Sequence, residues 1–228
     1  APPQAVFAHG FLLIGGEKMS KTSLNQIAPA DLVEDFGSDG FRYHFLADQR
    51  FGPDGDFSYE SMLARYNADL ANNFGNLANR VLNMTASYCD GVAPDARAEG
   101  PLVAASARAL EGMRAGMARL DFAAGLGAVW ELIRAANSYI EAEEPWRLHK
   151  AGDAQATAAV LGDCLEALRI VALLASPAIP RASAALWRRL GLSGTPEEQR
   201  LPDGAAWGRG PAGTTLDKGE PLFPRLGG

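Results

Sequence analysis

The sequence has few of the residues that mark secreted, metal-binding or membrane proteins. Its 228 residues include only two cysteines, Cys89 and Cys164, far apart and without a nearby Cys or His at metal-ligand spacing. This pattern argues against a zinc site and a disulfide framework, and it favours a reducing compartment. There is no run of about 18 apolar residues, and residues 1–4 lack the basic and apolar regions of a signal peptide. We therefore expect a cytoplasmic protein without a membrane span.

An excess of positive charge is also lacking. The chain has 21 Lys and Arg against 27 Asp and Glu, a net charge of −6. Dedicated nucleic-acid binders are usually strongly basic. Any RNA contact must therefore come from a local cluster of side chains, with the overall field weakly opposing association. The 47% hydrophobic and 21% charged content is otherwise that of an ordinary globular protein.

Glycines divide the first 57 residues into short segments. Apolar residues 6–9 and 11–14 predict two strands around a turn at Gly10. A proline at the beginning and a glycine at the end mark a first short helix. That first helix is predicted at residues 29–37 and a second helix at residues 39–48. A boundary loop rich in Gly and Pro is predicted at residues 51–57.

The remainder of the chain has helical periodicity. Ser58 is expected to cap a long helix that ends near Gly91, with apolar residues at three- and four-residue spacing. Helices with short connections favour a bundle. We expect residues 191–228, which are rich in Gly and Pro, to form a loosely packed tail over its surface. The other helices are predicted at residues 101–119, 122–150, 154–174 and 180–190.

A short polar loop with two lysines follows the Gly15-Gly16 turn. Ammonium groups three residues apart on a mobile loop can close over a triphosphate and neutralise charge as pyrophosphate leaves. From spacing alone, a solvated surface loop is the commoner explanation. The loop consists of Lys18, Met19, Ser20, Lys21 and Thr22.

The long helix is unusually rich in asparagine between residues 67 and 83. Asparagine is a poor residue inside a helix because its amide competes for backbone hydrogen bonds. Asn76 and Arg80 lie one turn apart, and an amide with a guanidinium can bind the Watson–Crick edge of an unstacked base. Alternatively, the amides cross-link neighbouring helices, which we expect of Asn72 and Asn79 in particular.

Pro145 interrupts the helical pattern of residues 122–150. Proline removes a hydrogen bond and kinks the helix, which would turn Trp146 outward. An exposed tryptophan can stack on a base, an interaction worth about 1–3 kcal/mol. Packing between helices is the alternative and the commoner fate of a single tryptophan.

Together these motifs resemble methionyl-tRNA synthetase, a class I aminoacyl-tRNA synthetase. The similarity runs from His9 through the lysine loop to Tyr43, continues over residues 66–80 and includes residues 137–140 with Pro145-Trp146. It implies a mainly α protein in which the end of a Rossmann-type catalytic domain precedes a class I α-helical-bundle anticodon-binding domain. The domains would span residues 1–57 and 58–190, with the tail at 191–228.

The resemblance also implies roles for individual residues. Lys18 and Lys21 would stabilise the phosphates of ATP, the substrate with Mg²⁺, during aminoacyl-adenylate formation. Asn76 and Arg80 would read the anticodon, and Trp146 would stack on an anticodon base. The implied partners are methionine tRNA, ATP and methionine.

The sequence departs from the family pattern beside the lysine loop. Leu24 replaces a usual glycine and Ala28 replaces a common aspartate that caps the following helix. A leucine at a position with positive φ is strained, and loss of the cap weakens the helix start. We therefore expect the loop to be less ordered than in its relatives.

Other basic residues are weaker candidates for RNA contact. Arg42 and Arg50 lie in the region that supports the tRNA stem in class I enzymes, and Lys150 could touch phosphate or favour a helix C-terminus. A solvated face is the commoner explanation for the last helix, which has Arg181, Arg188 and Arg189. We expect His9 to support the floor of the active site, whereas His44 and His149 have no evident partner.

The 228 residues contain no counterpart of the family's His-Gly-His-type first signature, methionine pocket or zinc-bearing insertion. Because an active site assembled from two halves needs both, we expect no methionyl adenylate from this chain alone. The absence of an oligonucleotide-binding appendage leads us to expect a monomer. Two alternatives remain: a non-catalytic tRNA-anticodon-binding module, or part of another class I synthetase such as the cysteine or leucine enzyme. The Asn76, Arg80 and Trp146 combination speaks against the latter.

Overall fold

The computed structural model of this protein describes residues 2–18, 28–48 and 52–227. A small three-stranded sheet lies at the N-terminal end. The strands are β1 (Leu12–Ile14), β2 (Glu17–Lys18) and β3 (Gly55–Phe57), in the order β2-β1-β3. β1 pairs antiparallel with β2 and parallel with β3. Parallel strands need a crossover connection, here provided by helix α1 (Pro29–Asp48). This β-α-β unit fits the end of an α/β catalytic domain.

Two predictions for the N-terminal segment were wrong. Residues 6–9 form no strand, and the predicted boundary loop at 51–57 contains β3. One of the two partners of β1, strand β3, is distant in sequence, and the backbone N–H of Gly55 donates to the carbonyl of Phe11 at 2.9 Å. A Cβ at Gly10 would lie 2.2 Å from the Pro53 carbonyl oxygen, so this close approach of two backbones requires glycine.

Helix α1 has two arms joined at Gly37 (φ 70°, ψ 163°). The arms correspond to the two helices predicted at residues 29–37 and 39–48. Its second arm contains two buried polar residues, Asp39 and His44. The Asp39 carboxylate accepts a hydrogen bond from the backbone N–H of Ala182 at 2.7 Å and so caps a helix from the opposite end of the chain. His44 packs edge-on against Phe57, and its ring nitrogens have no hydrogen-bond partner among the described residues. Burial lowers the pKa of His44, which keeps the imidazole neutral in this packing.

The predicted long helix is continuous but does not have a uniform turn. It consists of α2 (Tyr59–Arg65), a π-helical segment (Tyr66–Gly75) and α3 (Asn76–Tyr88). The Ser58 hydroxyl accepts from the Ser61 N–H at 3.1 Å, which confirms the predicted cap. The wider π turn was not predicted, and it changes the angular spacing of side chains immediately before Asn76.

A helical bundle forms the rest of the structure, as predicted. Its helices are α4 (Pro101–Ala118), α5 (Phe122–Glu143), α6 (Pro145–Lys150), α7 (Ala154–Ala175) and α8 (Pro180–Arg189). Helix α7 is at the centre and contacts α3, α4, α5, α6 and α8. Residues 160–175 are all buried, the pattern of a helix enclosed on every side. Within the described residues, no helix is both long and apolar enough to cross a membrane.

The prediction of a loosely packed tail was wrong. The tail has short 3-10 turns at Pro196–Glu198 and Asp203–Ala205, and Ala205 and Phe223 are buried. At its end, the Asn67 side chain hydrogen-bonds both the N–H and the carbonyl of Leu226, each at 3.0 Å. Buried contacts therefore fix the tail to the bundle at several points.

Candidate nucleic-acid interface

Two of the predicted RNA-binding residues, Arg80 on α3 and Trp146 on α6, lie side by side. The Cζ of Arg80 is 5.8 Å from the centre of the Trp146 ring, which is within the range of a cation–π interaction. The same guanidinium forms an ion pair with Glu141 on α5, with Nη2 and Oε1 2.7 Å apart. Arg80 is about one-third exposed and Trp146 is half-buried, so both remain accessible from one side.

The backbone at Glu144 explains the orientation of Trp146. We predicted one kinked helix over residues 122–150, but the chain breaks completely at Glu144, whose φ of 45° and ψ of 56° are left-handed. Pro145 is then the first residue of α6, a position that tolerates its missing N–H. A left-handed non-glycine residue is strained by about 1–2 kcal/mol. The break buries Pro145 and leaves Trp146 at the surface of the junction between α3 and α6.

Asn76 is the third residue predicted to bind RNA together with Arg80 and Trp146. It is exposed and lies one turn before Arg80 on α3. Asn73 faces α5, where the side-chain amide of Asn137 donates to its Oδ1 at 2.7 Å. Cross-linking was predicted for Asn72 and Asn79, and this was wrong: neither side-chain amide forms a hydrogen bond within the described part of the chain. Asn72 is exposed and Asn79 is half-buried, so both amides keep access to water.

Aromatic stacking extends along the same helix junction. The rings of Tyr88 on α3 and His149 on α6 have centroids 4.1 Å apart and planes inclined by 16°. His149 is exposed and lies between the exposed cations Arg147 and Lys150. Sequence reasoning found no partner for His149, although the run of basic residues in a short segment of an acidic chain was an available signal.

The lysine loop lies mostly outside the described residues. Lys18 is the last residue of β2, and Gly15 and Gly16 form the turn before it with φ of 59° and 79°. The side chain of Lys18 is not described, and Met19, Ser20, Lys21, Thr22 and Leu24 belong to the gap between residues 18 and 28. The predicted roles of these residues therefore remain predictions.

Several weaker candidates have structural contacts. The Arg42 guanidinium donates to the carbonyl of Pro177 at 2.6 Å and so ties α1 to the α7–α8 connection. Arg189 is half-buried against the backbone at Gly219, and burial lowers its pKa. Arg181 and Arg188 are exposed, as expected for a solvated face.

His9 hydrogen-bonds through Nδ1 to the carbonyl of Gly10 at 2.7 Å. Both cysteines are free thiols; Cys164 is buried, and burial raises its thiol pKa. Arg50 lies outside the described residues.

Comparison with known families identifies both parts of the chain. A family described as "tRNA synthetases class I (M)" matches residues 1–82, and one described as "Anticodon binding domain of methionyl tRNA ligase" matches residues 92–227. The second match covers more than half of the chain. It decides against the cysteine or leucine enzyme as the family of origin.

Individual relatives agree with this assignment. The methionine–tRNA ligase of Streptomyces coelicolor is 42% identical over 235 residues, which cover 98% of this chain and 44% of the relative. The enzyme of Synechocystis is 38% identical over 99% of this chain and 45% of its own length. This chain thus spans less than half the length of these curated relatives.

Solved structures provide a further comparison. Mycobacterium tuberculosis methionyl-tRNA synthetase bound by methionyl-adenylate matches with a TM-score of 0.85 and 34% identity, covering 96% of this chain and 43% of that one. The free-state structure of the same enzyme gives a TM-score of 0.85 at 32% identity. The chain therefore belongs to the methionyl-tRNA synthetase family, with the family's anticodon-binding domain preceded by part of its class I synthetase domain.

Proposed function

We propose that this chain provides anticodon recognition and the ATP-phosphate loop of a methionine–tRNA ligase, which attaches methionine to its tRNA at the expense of ATP. The observation that carries the proposal is the pairing of Arg80 with Trp146 at the junction of α3 and α6, with Cζ 5.8 Å from the ring centre. One group can hydrogen-bond a base edge and the other can stack on a base face. Together they form a site for an unstacked nucleotide.

The proposed reading chemistry follows from the exposed groups. Arg80 has several N–H donors, of which Glu141 occupies one nitrogen at 2.7 Å. Its remaining donors, with the amide of exposed Asn76, can bind a Watson–Crick edge. A base stacked on Trp146 would lie within reach of Arg80, because Arg80 already contacts the ring, and Asn76 lies one turn away on the same helix. Stacking on Trp146 and hydrogen bonding by Arg80 and Asn76 would thus act on the same nucleotide.

We assign the ATP-phosphate role to Lys18, Met19, Ser20, Lys21 and Thr22. The two ammonium groups would neutralise phosphate charge as pyrophosphate leaves, with ATP bound as its Mg²⁺ complex. The relative bound by methionyl-adenylate supports ATP and methionine as substrates. The methionine pocket would lie outside these 228 residues.

The proposal also includes the RNA partner, the compartment, the oligomeric state and the domain boundaries. Methionine tRNA is the macromolecular partner, and the protein works in the cytoplasm as a monomer with no zinc site in this chain. Residues 1–57 form the end of the catalytic domain, 58–190 the helical anticodon-binding domain and 191–228 the tail. The first two would be joined in part by the hydrogen bond from the Ala182 N–H of α8 to the carboxylate of Asp39 on α1.

Replacing Trp146 tests the anticodon site. We expect Trp146→Ala to weaken binding of a methionine anticodon stem-loop by about 1–3 kcal/mol, because a stacking surface is lost. Trp146→Phe should retain part of the affinity. Fluorescence anisotropy with labelled RNA measures both, and circular dichroism should show the same helicity in each variant. Unchanged affinity would assign Trp146 to packing and contradict the proposal.

Arginine variants provide a matched charge control for this test. Arg80→Ala should weaken binding to the methionine stem-loop more than binding to a stem-loop with another anticodon. Arg134→Ala removes the same charge from α5, where Arg134 pairs with Glu131 at 2.7 Å, and should have little effect. Equal losses from the two substitutions would indicate general electrostatics instead of base reading.

A non-catalytic anticodon-binding module is the second candidate function. It is favoured by the location of Asn76, Arg80 and Trp146 within this one chain. We expect the 228 residues alone to bind the stem-loop without supporting methionine-dependent ATP–pyrophosphate exchange, since positioning and leaving-group stabilisation are both required. Clear exchange by this chain would contradict that expectation and exclude the module.

A further inference from the structure

The Tyr88–His149 pair is a second aromatic pair at the junction of α3 and α6. Its rings are nearly parallel, with centroids 4.1 Å apart and planes inclined by 16°. Tyr88 is half-buried and His149 is exposed, so the tyrosine covers part of the imidazole from the protein side. The imidazole is thereby held in a defined orientation while the rest of it faces solvent.

This pair lies beside the proposed anticodon site. His149 follows Trp146 by three residues on the same helix, a spacing that places Cβ atoms about 5–6 Å apart on neighbouring parts of the surface. The helices α3 and α6 therefore contact each other at two aromatic points, Arg80 with Trp146 and Tyr88 with His149. The two points form one strip along the junction.

The charges beside the pair favour an anionic partner. Exposed Arg147 and Lys150 flank His149, in a chain whose net charge is −6. Glu144 pairs with Arg147 at 3.0 Å, which leaves Lys150 as the cation without an ion pair among the described residues. A planar ring beside an ammonium group fits a nucleotide, since the ring can stack on a base while the ammonium contacts phosphate.

We propose that Tyr88 and His149 form a second stacking platform, which binds the base of the anticodon-loop nucleotide next to the one stacked on Trp146. Lys150 would contact the phosphate that links the two nucleotides. This inference rests on the proposed function and adds a second nucleotide to its site. Tyr88 acts as a positioning residue, because it reaches the base only through the His149 ring.

Stacking variants of His149 test the platform in the 228-residue chain. His149→Ala should lower affinity for the methionine anticodon stem-loop at least about five-fold, the equivalent of roughly 1 kcal/mol per stacked base. His149→Phe, which retains a planar ring, should bind within about two-fold of the parent chain. Tyr88→Leu should weaken binding less than His149→Ala, since it releases the ring without removing it.

RNAs that lack a single base locate the contact. The affinity lost through His149→Ala should disappear when the RNA lacks the base next to the one stacked on Trp146, and should persist when a distant loop base is absent. An unchanged affinity of His149→Ala, an equal loss with every RNA, or a His149→Phe chain as weak as His149→Ala would overturn the platform. Thermal unfolding followed by circular dichroism verifies that each variant is folded, as expected for exchange of an exposed side chain.

The outcome for Trp146 separates the two proposals. If Trp146→Ala leaves stem-loop affinity unchanged, the proposed anticodon site itself fails. If Trp146→Ala weakens binding and His149→Ala does not, the site stands and the second platform is wrong. Loss in both variants, each against a different base, supports both.

Discussion

Arg169→Ala is expected to destabilise the protein by about 3–5 kcal/mol. Arg169 and Glu166 form a bidentate ion pair on α7, with Nε–Oε2 and Nη2–Oε1 distances of 2.8 Å and side chains only 2% and 0% exposed. Removing the guanidinium would leave the Glu166 carboxylate buried without its counter-charge. An uncompensated buried charge is among the most destabilising changes a single substitution can make.

The same substitution should also release the tail. The Arg169 guanidinium donates to the carbonyl of Gly204 at 2.6 Å and that of Ala206 at 2.8 Å. Glu166 Oε1 accepts from the N–H groups of Gly208 at 2.8 Å and Arg209 at 3.1 Å. The pair thus organises the backbone of residues 204–209. Hydrogen exchange should show faster exchange there in the variant than in the parent chain.

An exposed pair of the same type provides the control. Arg134 and Glu131 have the same three-residue spacing on a helix, but their side chains are 48% and 73% exposed. Arg134→Ala should change the free energy of unfolding by at most about 1 kcal/mol. Urea denaturation followed by circular dichroism measures both variants. Equal effects at the two positions would show that burial of the Arg169 pair does not determine its contribution.

Asp163→Ala should destabilise the protein by about 2–4 kcal/mol, because buried donors lose their acceptor. The Asp163 side chain is 3% exposed and accepts hydrogen bonds from Arg97 and from the Tyr139 hydroxyl. The distances are 2.8 Å to the Arg97 backbone nitrogen and 3.0 Å to the hydroxyl. Burial and the nearby carboxylate raise the pKa of Tyr139, so its hydroxyl remains a neutral donor. The Tyr139 hydroxyl and the backbone N–H of Arg97 would lose their acceptor, whereas the partly exposed Arg97 side chain could turn to water.

Asp153→Ala is the matched control on the same helix. Asp153 is exposed and caps α7 by accepting from the Ala156 N–H at 2.9 Å. Its replacement should cost about 1 kcal/mol, the usual contribution of an N-cap. If the two substitutions lower the free energy of unfolding equally in urea denaturation, the Asp163 hydrogen bonds contribute no more to stability than a surface N-cap. Because Asp163 joins α7 to α5, we also expect Asp163→Ala to weaken stem-loop binding more than Asp153→Ala does.

Local features of the fold were predictable from short stretches of sequence. The Ser58 cap, the two arms of α1 and most helix boundaries were confirmed, because each depends on a few neighbouring residues. The break at Pro145 was predicted as a kink, since proline cannot continue the hydrogen-bond ladder, but the left-handed Glu144 made it a complete interruption. The family was correctly identified from motifs with the same local character.

The candidate site was only partly predictable. The sequence placed Asn76 and Arg80 on one helix face and Trp146 beyond a proline, but their spacing in the chain carries no information on whether they meet. The structure brings Arg80 to Trp146 and pairs Tyr88 with His149, because α3 and α6 both pack against α7.

By itself the sequence determined the helical periods, the helix caps, the turns and the family, because each of these depends on residues within about one or two turns of each other. Tertiary structure alone decided the pairing of β1 with β3, the π turn before Asn76 and the attachment of the tail. The strand pairing and the attachment of the tail join backbone and side chains far apart in the chain, as in the hydrogen bonds between Asn67 and Leu226. Their stability depends on burial and complete hydrogen bonding at the point of contact, which exist only after the chain has folded.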